Sequence, residues 1–147
     1  MPMNPSYTLR NKRVWVAGDR GLVGSALVRR LQREGCEIVT APRDQVDLRR
    51  PDQTEQWMAA ARPQAVFLAA ARVGGIYAND TRPAEFIYDN LMIQSNIVEA
   101  SRRVGVEKLM LLGSSCIYPR LAPQPIPETA LLTGPLEPTN QWYAVAK

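Results

Sequence analysis

A chain of 147 residues with 46% apolar residues has the length of one domain and enough apolar side chains to form a core. It has no histidine, which excludes a Ser-His-Asp or Cys-His catalytic site within the chain, and its two cysteines match neither a disulfide framework nor a metal-binding spacing. The net charge of +4 comes from scattered arginines, so we expect a phosphate-bearing small molecule as ligand rather than nucleic acid. No apolar run reaches the length of a membrane span and no leader pattern opens the chain, so we expect a cytoplasmic protein with no membrane partner and no metal.

The N-terminal part of the chain is a short polar tail over residues 1–12, followed by an apolar run and three evenly spaced glycines. The run Arg13–Ala17 leads into Gly18, Gly21 and Gly24, which predicts a strand, a tight turn and the start of a helix. Gly18 permits the sharp turn, Gly21 permits close approach of a ligand, and Gly24 permits close packing of helix on strand.

This glycine spacing is typical of dinucleotide binding when a strand precedes it and a helix follows it. The unpaired N–H groups and the positive dipole end at the start of such a helix favour a pyrophosphate. The alternative is an ordinary strand–helix turn, because glycine triplets also occur there. The strand–turn–helix context favours the dinucleotide site.

Strands and helices alternate along the rest of the chain, which predicts an α/β fold of the Rossmann type, a doubly wound parallel sheet. Such a sheet normally carries further strands, so we interpret residues 13–147 as an incomplete domain, truncated before its last strands. The predicted helices are residues 25–34, 51–62 and 83–103, the predicted strands are 36–40, 65–70 and 108–112, residues 118–139 are a proline-rich loop, and residues 142–147 begin another helix.

The end of the second predicted strand carries the signal for cofactor specificity. An NAD site places a carboxylate there, whereas this chain places Arg43 there, and a guanidinium forms charge-assisted hydrogen bonds to a 2′-phosphate. Arg20, within the glycine turn, is a second candidate for the same phosphate. We therefore predict NADP(H). The alternative is that both arginines are solvated surface residues. Asp44 counts against NADP, because its distance along the chain from the glycine turn also suits an acid that binds the ribose.

Catalytic candidates follow the fourth strand and begin the last helix. Tyr143 and Lys147 are four residues apart and so share one helix face, where a nearby ammonium would lower the pKa of the phenol and suit it to proton transfer. Ser114 is predicted to donate a hydrogen bond to the same substrate oxygen. Cys116 is a candidate base or nucleophile, and the alternative is that it is a small buried hydrophobic residue. We assign that structural role to Cys36.

Longer motifs carry a family resemblance. The glycine turn, Ser114 and the Tyr-x-x-x-Lys pair resemble the extended short-chain dehydrogenase/reductases, which act on nucleotide sugars. More narrowly, the chain is similar to the GDP-L-fucose synthase family in the four segments AAARVGGIYAN (69–79), NLMIQSNI (90–97), LGSSCIYP (112–119) and LEPTN (136–140).

The resemblance implies NADPH-dependent conversion of GDP-4-keto-6-deoxy-D-mannose to GDP-L-fucose, by epimerisation followed by reduction. It implies that Cys116 helps exchange protons at the carbons beside the ketone and that Tyr143 delivers a proton during reduction. It further implies that Lys147 lowers the pKa of that tyrosine and holds the nicotinamide ribose, and that Ser114 orients the carbonyl. The cofactor-binding set that we predict is Gly18, Asp19, Arg20, Gly21, Leu22, Val23, Gly24, Arg43, Asp47, Leu48, Ala69, Ala70, Leu112, Gly113, Ser114, Ser115 and Lys147.

The family's second epimerisation acid, a histidine, and its GDP-sugar-binding domain both fall outside this sequence. We therefore expect the chain alone to be inactive with the GDP-sugar, and we expect a homodimer when the protein is full length, with residues 83–103 supplying one interface helix. Two alternatives stay open. One is another NAD(P)-dependent nucleotide-sugar epimerase or dehydratase, and the other is a non-catalytic NADP-binding interaction module.

Overall fold

The structure is a computed structural model that describes residues 7–41 and 43–147. The chain divides into two compact units. The first runs up to Ala70 and includes Asn96–Leu111, and the second comprises Ala71–Ser95 and Leu112–Lys147.

The first unit contains a parallel sheet of four strands in the order β2-β1-β3-β4, which confirms the predicted Rossmann-type α/β fold. In chain order its complete elements are β1 (Arg13–Ala17), α1 (Leu22–Leu31), β2 (Glu37–Val39), α2 (Pro51–Ala61), β3 (Ala65–Leu68) and β4 (Lys108–Leu111).

Strand β1 is buried on both faces because helices cover the sheet from either side. Val14 and Val16 pack with Leu31 of α1 in one apolar cluster. Trp15, which points to the opposite face, stacks on Trp57 of α2 with ring centroids 4.3 Å apart. Burial on both faces explains why apolar and polar residues do not alternate along β1.

The segment that we predicted as a polar tail contacts the sheet unit from Tyr7 onward. The Tyr7 hydroxyl donates a hydrogen bond to Glu107 at 3.1 Å, and Lys12 forms an ion pair with the same carboxylate. The backbone N–H of Asn11 donates to the carbonyl of Gly35 at 2.8 Å. Residues 1–6 of the predicted tail lie outside the described residues.

The second unit is mostly helical and irregular. It contains α3 (Ile76–Thr81), the first three turns of α4 (Pro83–Val104), a 3-10 turn at Ser115–Ile117, another at Glu128–Ala130, and α5 (Gln141–Ala146). Asn90 of α4 fixes the segment before α3, because its amide accepts from the backbone N–H of Arg72 at 2.9 Å and donates to the carbonyl of Arg72 at 3.0 Å.

Three local expectations were wrong. Helix α1 begins at Leu22 rather than at residue 25, so that Gly24 lies inside its first turn. It ends at Leu31 rather than at residue 34, and Gly35 adopts a left-handed φ of +65° four residues later. Helix α3 had not been predicted at all. Within the described ranges, no helix is both long and apolar enough to cross a bilayer.

Candidate functional site

The glycine turn, Gly18–Gly24, is built around a backbone conformation that only glycine adopts easily. Gly18 has φ +90°, and a Cβ placed there would stand 2.7 Å from the backbone nitrogen of Ala70 and 2.8 Å from its Cα. The backbone N–H of Ala69 in turn donates to the carbonyl of Ala17 at 2.9 Å. The structure thus brings Gly18, Ala69 and Ala70 together where β1 and β3 end.

Gly24 is required for a different reason, which is the closeness of α1 to the turn. A Cβ at Gly24 would lie 2.0 Å from the carbonyl oxygen of Gly18, a separation that no side chain could occupy. The N–H of Gly21 donates to that same carbonyl at 3.0 Å and closes the turn. The first and third glycines therefore hold the geometry, as their spacing predicted.

The start of α1 presents free backbone donors to solvent. Gly21 is the N-cap and provides no side-chain cap, and the first turn contains no acidic residue. The N–H groups at the start of a helix have no partner within it, and the dipole places positive charge there. Leu22 is 90% exposed and Val23 is 51% exposed, so the surface beside these donors is open. An anion such as a diphosphate fits this surface.

Arg20 and Arg43 are exposed residues of the same unit, and neither forms an ion pair within the ranges that the structure describes. Asp47 differs, because the guanidinium of Arg49 donates to its carboxylate at 2.8 Å and holds the pKa of Asp47 below its usual value. The carbonyl of Leu48 is held by the amide of Asn96 at 2.9 Å.

The second unit brings together four side chains, which we call the Ser114 cluster: Ser114, Cys116, Asn140 and Tyr143. The Ser114 hydroxyl caps the 3-10 turn by accepting from the backbone N–H of Cys116 at 3.2 Å. Its own hydrogen bond to the Tyr143 hydroxyl favours the phenolate form. Asn140 donates to the sulfur of Cys116 at 3.1 Å.

The acidity of Tyr143 corrects one expectation. We expected Lys147 to lower the pKa of this phenol, but the pKa is raised, because desolvation of the half-buried ring outweighs the opposing hydrogen bond from Ser114. Negative charge on Cys116 would raise it further. Burial also lowers the pKa of Lys147 itself. The Tyr-x-x-x-Lys spacing places both residues on α5 and its C-cap, but it did not predict how far both are desolvated.

The remaining predicted residues of this unit surround the same segment. Leu112 and Gly113 lead from β4 into Ser114, and Ser115 begins the 3-10 turn. A Cβ at Gly113 would lie 4.0 Å from the carbonyl oxygen of Lys147. The amide of Gln94 donates to the carbonyl of Ala146 at 2.6 Å and so ties α5 to α4.

Asn140 had no predicted role, although it belongs to a motif used for the family resemblance. Its partner Cys116 lies 24 residues earlier, so no local spacing reveals the contact. The only signal in the sequence was an asparagine just before a helix, which ordinarily indicates an N-cap. No cluster of His, Cys, Asp or Glu suited to a metal ion occurs in the described part of the chain.

The chain is similar to known proteins over almost its whole length. The NAD dependent epimerase/dehydratase family matches residues 14–147. The GDP-L-fucose synthase of Sinorhizobium fredii is 59% identical over 143 residues, which cover 97% of this chain and 46% of that protein.

Two solved structures share the fold. The Campylobacter jejuni GDP-mannoheptose C4 reductase MlghC, solved with NADP bound, superposes with a TM-score of 0.89 at 36% identity, covering 93% of this chain and 44% of that one. A GDP-L-fucose synthetase from Naegleria fowleri bound to NADP gives a TM-score of 0.83 at 31% identity, covering 96% of this chain and 43% of that one.

The chain spans less than half the length of these relatives. The family match, in contrast, covers almost all of its residues and includes both the glycine turn and the Ser114 cluster. This chain belongs to the NAD dependent epimerase/dehydratase family.

Proposed function

We propose that the chain is the cofactor-binding part of an NADPH-dependent epimerase/reductase that converts GDP-4-keto-6-deoxy-D-mannose to GDP-L-fucose. The observation that carries the proposal is the Ser114 cluster, in which a serine hydroxyl is hydrogen-bonded to a tyrosine and a cysteine lies beside both. A phenol and a thiol in one cluster suit reduction of a ketone together with proton exchange at neighbouring carbons.

The names of the relatives support this substrate class. The Sinorhizobium fredii protein is a GDP-L-fucose synthase, and the two solved structures are named as enzymes of GDP-sugars or GDP-L-fucose synthesis. Identity of 59% over nearly the whole chain favours the fucose synthase activity over other nucleotide-sugar chemistries.

NADP(H) is the proposed cofactor, and the glycine turn fits it. A Cβ at Gly18 or Gly24 would collide with backbone, while the surface beside the first N–H groups of α1 is open for the diphosphate. Arg20 and Arg43 would bind the 2′-phosphate, and Lys147 would hold the nicotinamide ribose. When bound, the cofactor supplies the hydride for the reduction.

The proposed roles within the Ser114 cluster follow from its hydrogen bonds. Tyr143 delivers a proton to the ketone oxygen; the raised pKa of its phenol leaves it protonated at neutral pH but makes it a weaker acid than a free phenol. Ser114 donates to the same oxygen, since its hydroxyl is already positioned by the N–H of Cys116. Cys116 exchanges protons at the carbons beside the ketone.

Product analysis of the natural full-length protein tests the proposal. With NADPH and GDP-4-keto-6-deoxy-D-mannose we expect GDP-L-fucose, and a different GDP-sugar product would contradict the assignment. The 147-residue chain alone should bind NADPH without turnover, because it spans less than half the length of the relatives it matches. Measurable turnover by this chain alone would contradict that expectation.

We propose a homodimer for the full-length protein. Three exposed apolar side chains recur along one stripe of α4, namely Tyr88, Leu91 and Val98, and Trp142 and Val145 are exposed on α5. Exposed apolar stripes on helices are typical of interfaces. Sedimentation analysis should give a dimer that Leu91→Glu dissociates, and a monomeric wild type would contradict the proposal.

The cytoplasm is the proposed compartment. Both cysteines are free, as is usual where thiols are kept reduced. Fractionation of cells that produce the protein, with detection by antibody, tests this location, and recovery in a secreted or membrane fraction would contradict it.

A further inference from the structure

Asn140 occupies the N-cap position of α5 but does not cap the helix. Asparagine is among the residues most favoured at an N-cap, where its side chain normally accepts a hydrogen bond from a backbone N–H of the first turn. Here no such bond forms. The amide nitrogen instead donates to the Cys116 sulfur at 3.1 Å.

The other half of the same amide is also unusual. The Oδ1 atom of Asn140 is buried and has no hydrogen-bond partner. A buried carbonyl oxygen without a donor is costly, and capping α5 would be one way to give it a partner. The side chain therefore forgoes a helix cap, which would also satisfy its oxygen, and contacts a thiol instead.

We propose that Asn140 is a positioning residue for Cys116, orienting its sulfur and stabilising the negative charge that the sulfur carries when it has released its proton. The inference rests on the proposed function in assigning proton exchange to Cys116. It goes beyond that function in making the residue before α5, rather than the cysteine alone, responsible for the geometry and charge of the thiol.

A donor at this position suits the chemistry. When Cys116 takes a proton from a carbon beside the ketone, the C–H electron pair moves toward the ketone oxygen as an enolate and the sulfur becomes a neutral S–H. To accept that proton the sulfur must first be an anion, and the Nδ2–H of Asn140 is placed to donate a hydrogen bond to it. After it, the unpaired Oδ1 of the same amide is available to accept from S–H when the amide rotates.

Two substitutions separate this role from helix capping. Aspartate and serine are as good at an N-cap as asparagine, so Asn140→Asp and Asn140→Ser should preserve or improve capping of α5. Neither can donate from an amide to Cys116, and the carboxylate of Asn140→Asp also repels a thiolate. A role confined to capping α5 predicts that both variants behave as the wild type.

The test is alkylation of the natural full-length protein by iodoacetamide at pH 7, followed by peptide mass spectrometry. Cys36 lies in the first unit and is an internal reference in the same sample. We expect the ratio of the Cys116 rate to the Cys36 rate to fall about tenfold in Asn140→Asp, and less in Asn140→Ser, because a hydrogen bond to a charged group is lost. The melting temperature should stay at the wild-type value.

Two results would overturn the inference. One is an unchanged ratio in Asn140→Asp, and the other is a fall in Cys116 reactivity matched by a lowered melting temperature, which would make the role structural. A second measurement follows incorporation of solvent deuterium beside the ketone of the GDP-sugar, which should slow in Asn140→Asp. If the wild type exchanges no deuterium and forms no GDP-L-fucose, the proposed function fails, while the alkylation ratio still decides the role of Asn140.

Discussion

The two units of this chain carry separate candidate functional regions that are built in opposite ways. The glycine turn of the first unit is made of backbone, and its N–H groups and packing distances are fixed by residues without side chains. The Ser114 cluster of the second unit is made of side chains from segments distant in sequence, and it contains a buried amide oxygen without a partner. In our proposal the backbone of the glycine turn fixes where an anion binds, whereas the environment of the side chains in the Ser114 cluster sets which protons move.

This difference decides how each unit responds to substitution. A change in the glycine turn acts through sterics and so should affect folding and cofactor binding together. A change in the Ser114 cluster removes one functional group and should leave the fold intact. Four predictions follow this contrast, from the largest expected effect to the smallest.

Removing the phenol is the sharpest test of the side-chain site. Tyr143→Phe in the full-length protein should lower kcat about 10²- to 10⁴-fold, because proton delivery to the ketone oxygen is lost. Affinity for NADPH and the melting temperature should be unchanged. Tyr7→Phe is the matched control in the first unit, where the hydroxyl bonds Glu107 and Gln64. Equal turnover by wild type and Tyr143→Phe would refute the role of Tyr143.

Adding one methyl group tests the backbone-built turn. Gly24→Ala should destabilise the chain by about 3 kcal/mol, because a Cβ cannot stand 2.0 Å from the Gly18 carbonyl without moving α1. Chemical denaturation measures this loss. Gly75→Ala is the control, since a Cβ there meets nothing within 4 Å and the backbone φ of −72° suits alanine. A wild-type midpoint for Gly24→Ala would mean that the turn tolerates a side chain.

The preference for NADPH over NADH tests whether a side chain adds cofactor specificity to the backbone-built turn. Arg43→Ala should weaken NADPH binding by about 10-fold while leaving NADH binding unchanged, because a charge-assisted bond to the 2′-phosphate is lost. Fluorescence titration with both cofactors measures the two affinities. Arg33→Ala, which removes an exposed arginine at the end of α1, should bind both as the wild type does. A parallel loss for NADPH and NADH would contradict the 2′-phosphate role.

The smallest expected effect is electrostatic and lies on the surface of the first unit. Hydrogen bonds from Arg102 and Arg103 lower the pKa of Glu99 to about 2. A depressed carboxyl pKa stabilises the folded chain above the ordinary pKa of 4.5, and this contribution is lost as the pH falls toward 2. Glu99→Gln should therefore be slightly less stable than wild type at pH 7 and equally stable near pH 2, with the difference shrinking in high salt. A difference that persists at pH 2 would contradict this origin.

The sequence predicted the backbone-built part far better than the side-chain part. Gly18, Gly21 and Gly24 encode a turn through local conformation, and the alternation of apolar strands with helices encodes the parallel sheet. Helix α3 was missed because its six residues, Ile76–Thr81, are too few to show a helical period.

The chemistry of the second unit depended on packing that spacing does not contain. The contact of Asn140 with Cys116 joins residues 24 positions apart. The pKa of Tyr143 was expected to fall on the basis of a four-residue spacing, whereas desolvation of its ring raises it. Desolvation depends on every residue packed around a group, so a pair of positions cannot predict it.

The stacked pair of Trp15 and Trp57 has a practical consequence. The chain has three tryptophans, and the third, Trp142, is 44% exposed and belongs to the second unit. Indole emission should therefore contain a short-wavelength component from the buried Trp15 and a longer-wavelength component that acrylamide quenches. One spectrum would then report the integrity of the sheet and events near α5 as two separate optical signals, without any added label.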